Sequence, residues 1–254
     1  MKQLNVLLLG DDCKDVYTYG HVNRISPEAP VPIFEYSHQE EKRGMSGNVS
    51  ENLKALGCSV VHASGNQKSI KTRYIDIRTG QQLMRVDEDS ISKPITVDEM
   101  LFNQQNYDCV IISDYNKGSI TAENFNRLLT IYRGPIFIDT KKTDLSFFDV
   151  IYPPREIYVK INELEYSKLQ NKHRNLIVTL GKDGARYRGN IFSTPKVEVS
   201  DVCGAGDTHL SALAYMYCQS NDIEHSIKWA NRAASVTVQH LGVYAPTLEE
   251  INAT

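Results

Sequence analysis

The segment from Asp201 to Thr208, with the sequence DVCGAGDT, contains the residues best suited to chemistry. Gly204, Ala205 and Gly206 leave backbone N–H groups uncovered just where the following residues predict a helix. Uncovered N–H groups and the positive end of a helix dipole together favour an anion. A carboxylate in the first turn, Asp207, could accept a proton from a group arriving beside that anion. The segment therefore predicts phosphoryl transfer, although an ordinary N-terminal cap behind a glycine turn uses the same residue types.

Composition narrows the class of protein. The chain has 254 residues, of which 41% are hydrophobic and 23% charged, as expected of a soluble enzyme with one large core. Its formal net charge of -3 argues against nucleic acid or a membrane surface as a partner. The cysteines form no C-x-x-C pair, which predicts a reducing cytoplasm without a disulfide framework or zinc site. The cysteines are Cys13, Cys58, Cys109, Cys203 and Cys218.

Strand-like and helix-like segments alternate along the chain. The run NVLLLG is apolar throughout, which is typical of a strand buried on both faces of a parallel sheet. Two other segments differ from this pattern. One is extended and interrupted by prolines, and in the other apolar and polar residues alternate on either side of a Thr79-Gly80 turn. We expect a single α/β domain over residues 1–254, with a doubly wound, mostly parallel sheet. The two extended segments, about 16–43 and 71–90, would form a small β-sheet lid.

The DVCGAGDT segment resembles the C-terminal signature of the ribokinase-like (PfkB) carbohydrate kinases, D-T-x-G-A-G-D, with Val202 in place of threonine. The strings GDDCKDVYTYG and RISPEAPVP are similar to the heptose 7-phosphate kinases within that family. This resemblance implies that Asp207 is the base that activates a sugar hydroxyl. It also implies that Gly204, Ala205 and Gly206 form the anion hole for the transferred phosphoryl group.

Candidate substrate-binding residues come partly from position and partly from the resemblance. Asp11 and Asp15 follow the first strand, where ligands bind in open α/β sheets, although either could instead cap a turn. Asn48 matches a sugar-binding asparagine of the family, and a helix cap is the alternative. The hairpin cations suit a phosphate monoester, and many such residues are simply solvated. The full set is Asp11, Asp15, Arg24, Gly44, Asn48, Lys71, Arg73, Arg85, Asp114 and Lys117.

The resemblance also implies ATP and Mg²⁺ as cofactors. NELE resembles the family segment in which an asparagine and a glutamate organise the water shell of magnesium, so Glu165 would bind the metal through water. The usual Thr-Pro before it is Lys160-Ile161 here. A buried helix face of small residues would explain most of the positions near the adenine without a ligand. The nucleotide set is Lys141, Asn162, Glu165, Thr179, Gly181, Gly184, Asn231 and Gly242.

The implied reaction is transfer of the γ-phosphoryl group of ATP to a sugar phosphate, namely to the anomeric hydroxyl of D-glycero-D-manno-heptose 7-phosphate. The resemblance further implies a homodimer formed through the lid. Only thirteen residues separate Gly57 from Lys71, so a helix-and-strand unit of the resembling kinases is absent, and Met45 replaces a family glycine. These departures leave two alternatives open: a kinase for another sugar, and a catalytically silent binding homologue.

Overall fold

A computed structural model describes residues 2–66, 69–98, 102, 106–149 and 155–254. Its centre is an eight-stranded sheet in the order β12-β11-β10-β9-β8-β7-β1-β4, in which the six strands from β10 to β4 are parallel. These strands are β1 (Asn5–Gly10), β4 (Ser59–Ser64), β7 (Cys109–Asp114), β8 (Ile136–Thr140), β9 (Ile157–Asn162), β10 (Leu176–Thr179), β11 (Ala185–Tyr187) and β12 (Asn190–Phe192).

Helices cover both faces of this sheet, as the doubly wound prediction requires. Because side chains alternate along a strand, Val6 and Leu8 of β1 join one hydrophobic core and Leu7 and Leu9 join the other. The helices are α1 (Ser46–Ala55), α2 (Ala122–Ile131), α3 (Glu163–Tyr166), α4 (Ala205–Ser220), α5 (Ile223–Thr237) and α6 (Leu248–Ala253), with 3₁₀ turns at Leu145–Phe148 and Gly181–Asp183. In the described part of the chain, none of them has the length and apolarity needed to span a bilayer.

A separate four-stranded sheet has the order β3-β2-β5-β6. Its strands are β2 (Asp12–Ile25), β3 (Pro32–Met45), β5 (Ser69–Asp76) and β6 (Gln82–Glu88). The two segments predicted as a lid provide these strands, and β2 and β5 begin a few residues earlier than predicted. The connection between Gly57 and Lys71 contains edge strand β4, and no helix occurs among its described residues.

Two predicted helix ends can be compared with the structure. The spacing of Val49, Leu53 and Leu56 predicts a helix that ends at Gly57; α1 buries Val49 and Leu53, and Gly57 follows its end with φ 80°. The apolar spacing from Ile223 to Leu241 predicts a helix closed by Gly242, but α5 ends at Thr237. Turns follow it, and Gly242 instead donates its N–H to the carboxylate of Asp201 at 2.9 Å.

Candidate active site

The helix start predicted as an anion site lies where α4 begins. Gly204 adopts the left-handed conformation, with φ 79°, and no side chain caps the helix. Since an L side chain is strained at that φ, and a Cβ there would lie 2.9 Å from Asn48 Nδ2, glycine is required. The N–H of Ala205 bonds to the Val202 carbonyl oxygen at 3.3 Å, whereas in the described part of the chain the N–H groups of Gly206 and Asp207 have no partner and are available to an anion.

Asp207 does not act as the N-terminal cap that was the alternative interpretation. Its Oδ2 accepts a hydrogen bond from Asn48 Nδ2 at 2.8 Å, and its Oδ1 accepts one from the Tyr115 hydroxyl at 3.3 Å. Asn48 likewise caps no helix, because Met45 occupies the N-cap position of α1 without a side-chain cap. Three elements that are distant in sequence thus converge on one carboxylate.

Burial controls the protonation of Asp207. The side chain is only 8% exposed, and its removal from water raises the pKa to about 6 from an ordinary 3.8. The hydrogen bond from Asn48 opposes this rise, the negative charge of Asp139 adds to it, and the cations Lys160 and Lys141 oppose it. A carboxylate with this pKa is ionised at neutral pH and holds a proton more readily than an exposed one, which suits a general base.

A cavity of about 470 Å³ lies in front of Asp207. Carboxyl ends of β8, β9 and β10 supply much of its wall, which is the usual ligand position in a parallel α/β sheet. Its lining consists of Tyr115, Asp139, Lys141, Lys160, Asn162, Glu163, Leu164, Thr179, Leu180, Gly181, Gly204, Gly206 and Asp207. The cavity therefore joins the predicted anion hole to four of the predicted nucleotide residues.

Other predicted nucleotide residues have structural roles. Asn231 is buried, and its amide bonds to His209 and to the carbonyl groups of Phe192 and Ser193. A Cβ at Gly184 would lie 2.0 Å from the Phe192 carbonyl oxygen, so glycine is needed here for the backbone of Phe192 to come this close to residue 184. Neither residue lines the cavity. For Asn231 the buried-packing interpretation fits better than adenine contact, and for Gly184 the contact with the Phe192 backbone accounts for the glycine.

Asn162 and Glu165 are joined in a capping box at the start of α3. Asn162 Oδ1 accepts from the Glu165 N–H at 2.8 Å, and Glu165 Oε2 accepts from the Asn162 N–H at 2.9 Å. The other carboxylate oxygen of Glu165 accepts from Lys141 Nζ. Both oxygens of Glu165 thus have protein donors, which leaves fewer lone pairs for the magnesium-bound water that the sequence predicts at this residue.

Among the residues that the structure describes, no group of three or more His, Cys, Asp or Glu side chains is arranged to hold a metal. One carboxylate oxygen on the cavity wall is nevertheless buried and has no hydrogen-bond partner there, namely Asp139 Oδ1. Magnesium keeps several waters and uses only one or two carboxylates together with substrate phosphates. An oxygen donor of this kind fits such an ion.

Two of the predicted substrate carboxylates are buried and satisfied by the protein. Asp11 accepts the backbone N–H groups of Tyr115, Lys117 and Ser119, between 2.8 and 3.2 Å. Asp114 accepts from Thr140 Oγ1 at 2.6 Å and pairs with Lys142 at 3.0 Å. These contacts fix the loop that carries Tyr115, so the turn-capping alternative describes Asp11 better than direct contact with a sugar.

Asp15 and Arg73 form an ion pair on the inner face of the small sheet, which is the face that carries Asp15, Tyr17, Lys71 and Arg73 and on which Lys71 approaches Tyr115. The Arg73 Nη1 to Asp15 Oδ1 distance is 2.5 Å, and the guanidinium also lies over the Tyr17 ring. A Cβ at Gly44 would lie 2.0 Å from Asp15 Oδ2, so this predicted glycine makes room for the carboxylate. The three predicted residues Asp15, Gly44 and Arg73 are therefore brought together.

The remaining predicted substrate residues are spread over the inner face and beyond it. Lys71 Nζ lies 5.6 Å from the centre of the Tyr115 ring. It thus borders the Asp207 cluster, which consists of Asn48, Tyr115, Asp139, Lys160 and Asp207. Lys117 pairs with Asp89 at 2.6 Å, and Arg85 pairs with its neighbour Asp87 at 2.8 Å. Arg24 is exposed near the far end of β2, on the order of 30 Å along the strand from Asp15. The structure does not place Arg24 with the cluster.

Sequence reasoning missed two side chains of the cluster, Lys160 and Tyr115. Burial, followed by the nearby Asp207 charge, raises the pKa of Tyr115 well above its usual range, so its hydroxyl stays protonated and donates to Asp207. Lys160 is a buried lysine that bonds to Asp139 and to the Gly206 carbonyl. The sequence contained one signal for it, a lysine within the otherwise apolar strand segment YVKIN.

Comparison with known proteins agrees with this arrangement. The model of the pfkB family carbohydrate kinases matches residues 160–251, which include the anion-hole segment and α4. Residues 160–251 thus belong to a PfkB carbohydrate kinase domain. This family resemblance was the expectation from the sequence, and it is confirmed.

Relatives of this PfkB domain include proteins named bifunctional protein HldE. The one from Nitratiruptor sp. is 31% identical over 300 residues, covering 97% of this chain and 64% of the relative. The one from Campylobacter curvus is 31% identical over 307 residues, covering 98% of this chain and 64% of the relative. The chain thus spans about two thirds of the length of these curated relatives. Both aligned stretches are longer than the 254-residue chain, so each relative has additional residues within the matched region.

Solved structures confirm the ribokinase-like fold. Ribokinase from Arabidopsis thaliana, complexed with ribose and ATP, has a TM-score of 0.70 at 16% identity and covers 99% of this chain and 98% of its own. Phosphofructokinase-2 from Escherichia coli also has a TM-score of 0.70 at 16% identity and covers 100% of this chain and 98% of its own. Both likenesses in fold extend over nearly the whole chain, including the part outside the family match.

Proposed function

We propose that this chain is an ATP-dependent sugar kinase that phosphorylates the anomeric hydroxyl of D-glycero-D-manno-heptose 7-phosphate. The observation that carries the proposal is the buried Asp207 carboxylate beside the uncapped N-terminus of α4. The similarity to the HldE relatives and the heptose-kinase strings GDDCKDVYTYG and RISPEAPVP support the sugar assignment.

The nucleotide occupies the cavity in this proposal, with its phosphates toward Gly204 and Gly206. The wall that would face it includes Lys141, Asn162 and Thr179. Magnesium bound with ATP supplies charge neutralisation at the phosphates, and Asp139 Oδ1, with Glu165 acting through water, is the oxygen donor set that would hold it. Lys141, near Glu165 and 5.3 Å from the Tyr115 ring centre, places a further cation at this wall.

Proton transfer is the task of Asp207. The sugar hydroxyl displaces the long hydrogen bond from Tyr115 at Oδ1, while Asn48 continues to hold Oδ2 at 2.8 Å and fixes the carboxylate. As the hydroxyl oxygen attacks the γ-phosphorus, its proton passes to Asp207 and ADP leaves. The N–H groups at the start of α4 stabilise the charge on the transferred phosphoryl group, and each such donor contributes about 3 kcal/mol to lowering the barrier.

The distal phosphate of the sugar would lie under the small sheet. Lys71, Arg73 and Asp15 lie on one face of it, because Asp15 is in register with Lys71 and Tyr17 with Arg73. Of these two cations, Lys71 lies 5.6 Å from the centre of the Tyr115 ring, whereas Arg73 is neutralised by Asp15. We therefore assign Lys71 as the first phosphate-binding cation and the sheet as a lid over the sugar.

The outer face of the same sheet supports the proposed homodimer. Thr18, Tyr74 and Met84 are directly opposite one another in register, so they share the face away from Arg73. Tyr36, which is 63% exposed, lines a groove on this face together with Val16, Phe34 and Tyr74, and Met84 on the same face is 53% exposed. A second copy of this chain, which presents the same apolar face, is the proposed occupant.

A kinase for a different sugar phosphate is a second candidate, and one observation favours it. Met45, where the heptose kinases have glycine, has φ 52° and ψ -128°, a conformation that strongly favours glycine. Its buried side chain lies at the junction of β3 and α1, three residues before Asn48. A substrate pocket altered at this junction would accept a different sugar.

The test is ATP- and magnesium-dependent transfer to a panel of sugar phosphates that includes D-glycero-D-manno-heptose 7-phosphate, read by mass spectrometry. A bisphosphate formed only from the heptose supports the full proposal. Transfer to another member of the panel contradicts the sugar assignment and supports the second candidate. Sugar binding without transfer to any member would favour a catalytically silent homologue.

A further inference from the structure

Lys160 is a buried cation in an apolar strand. Its neighbours in β9, Val159 and Ile161, are fully buried, and Lys160 itself is only 3% exposed. Lysine is almost never buried to this extent unless it is paired, since removing its charge from water costs several kcal/mol. A buried pair also contributes little to stability compared with apolar residues of similar volume. The presence of a lysine here therefore calls for a reason other than packing.

Two of the three ammonium protons of Lys160 have partners. Nζ donates to Asp139 Oδ2 at 2.6 Å and to the Gly206 carbonyl oxygen at 3.1 Å. Its approach to the helix start is close, because a Cβ at Gly206 would lie 3.0 Å from Nζ. Within the described part of the chain the third N–H has no partner, so it remains for a ligand.

The surroundings identify what that ligand would be. Lys160 lies on the cavity wall together with Gly204, Gly206 and Asp207. The uncapped N–H groups of α4 begin at the same place and favour an anion. A fixed ammonium group beside these N–H groups suits a phosphoryl group whose equatorial oxygens carry the charge of the transition state.

We propose that Lys160 is a further catalytic residue, whose ammonium group donates its third N–H to the phosphoryl group during transfer. This inference rests on the proposed kinase function and adds a cation to it. In the step, the bond between the γ-phosphorus and the β–γ bridging oxygen breaks, and the bond from the sugar oxygen forms. The sugar proton goes to Asp207, and Lys160 keeps all its protons. Asp139 holds the ammonium group in place.

The decisive experiment compares ATP and ADP binding by calorimetry in the Lys160→Met variant, without any sugar. ADP lacks the phosphoryl group that Lys160 would contact. Loss of one charge-assisted hydrogen bond should weaken ATP binding by about 10- to 100-fold. ADP binding should change by less than about threefold, and kcat should fall together with ATP affinity. A merely structural role would weaken both nucleotides alike.

Two further variants keep this test decisive. Lys160→Met leaves Asp139 without its cation and could unfold the chain, so Lys160→Gln is the second variant. Its two amide N–H groups can serve Asp139 and the Gly206 carbonyl but leave neither a charge nor a third N–H for the phosphoryl group, so it should show the same loss of ATP preference. Lys142→Met is the matched control, because Lys142 forms a similar pair with the buried Asp114 at 3.0 Å but does not line the cavity. Its ratio of ATP to ADP affinity should equal that of the unaltered chain.

The outcomes separate this inference from the proposed function. If the unaltered chain transfers phosphate and the folded Lys160 variants keep its ATP preference, the role of Lys160 is refuted and the kinase assignment stands. If Lys142→Met loses the ATP preference equally, the effect is structural and the role of Lys160 is again refuted. If the unaltered chain binds neither nucleotide, both proposals fail.

Discussion

Replacing Asp207 with asparagine should stabilise the chain at neutral pH while removing its activity. Asparagine keeps the shape of the side chain, and its oxygen can still accept from Asn48 Nδ2. The new amide group would face the Tyr115 hydroxyl oxygen, which can accept a hydrogen bond. The substitution therefore removes a buried negative charge while keeping one hydrogen bond to each of these two partners.

The magnitude and sign follow from the pKa of Asp207. Burial raises it to about 6 from 3.8, and a shift of two units corresponds to about 3 kcal/mol. Between these two values the folded state binds more protons than the unfolded state, so the free energy of unfolding falls as pH rises. Above about pH 7 the unaltered chain has lost nearly all of this stability, and Asp207→Asn avoids the loss. Below 3.8 the difference between the two proteins should vanish.

The assay is urea unfolding of both proteins at several pH values between 4.5 and 8. The gain from Asp207→Asn should grow with pH and level off above about pH 7, at up to about 3 kcal/mol. In a thermal scan this gain corresponds to an increase in Tm of about 5 to 10 °C for a chain of this size.

Asp201→Asn is the matched control within the same segment. Burial opposes the ionisation of Asp201, but the backbone N–H groups of Cys203 and Gly242 outweigh it and lower the pKa. The stability that ionised Asp201 contributes is present above its pKa in the unfolded chain and is lost as the pH falls through its lower pKa in the folded chain. Asp201→Asn should therefore destabilise the folded chain at pH 7 and have a smaller effect in acid. A destabilisation by Asp207→Asn at pH 7, or a gain independent of pH, would refute the account of Asp207.

Three other substitutions test the surroundings of the site. Gly204→Ala should lower the free energy of unfolding by about 1 to 2 kcal/mol and reduce kcat, because it strains a left-handed residue and its Cβ displaces Asn48. Urea unfolding and initial rates measure these two effects. Gly44→Ala should raise KM for the sugar phosphate while KM for ATP is unchanged, because its Cβ would displace the carboxylate of Asp15; equal changes in both values would contradict this. Met84→Lys should convert the proposed dimer into a monomer in light scattering with activity per chain largely retained, and an unchanged mass would exclude this face as the interface.

Much of the fold could be predicted from sequence because its signals are local. An apolar run such as NVLLLG specifies a strand buried on both faces, and the Thr79-Gly80 turn specifies a hairpin. The end of α5 was placed too late, because the apolar spacing continues to Leu241, whereas the chain turns after Thr237 and leaves Leu241 80% exposed. That turn depends on a tertiary contact, the bond from Gly242 to Asp201.

The site was less predictable, since most of its contacts join distant residues. The motif indicated Asp207, but no local pattern shows that Asn48 and Tyr115 donate to it across 159 and 92 residues. The acidic residue type alone could not separate Asp11, which holds a loop by three backbone N–H groups, from Asp15, which faces a cation. Lys160 was passed over because its partner, Asp139, lies on a neighbouring strand.

The most direct measurement compares phosphate transfer by the unaltered chain and by Asp207→Asn, with ATP, magnesium and D-glycero-D-manno-heptose 7-phosphate. The account predicts that the unaltered chain forms a heptose bisphosphate and that Asp207→Asn, while still folded and binding ATP, is slower by at least about 100-fold. The rate of the unaltered chain should also fall about tenfold per pH unit below pH 6, as Asp207 becomes protonated. Equal rates for the two proteins would contradict the central claim.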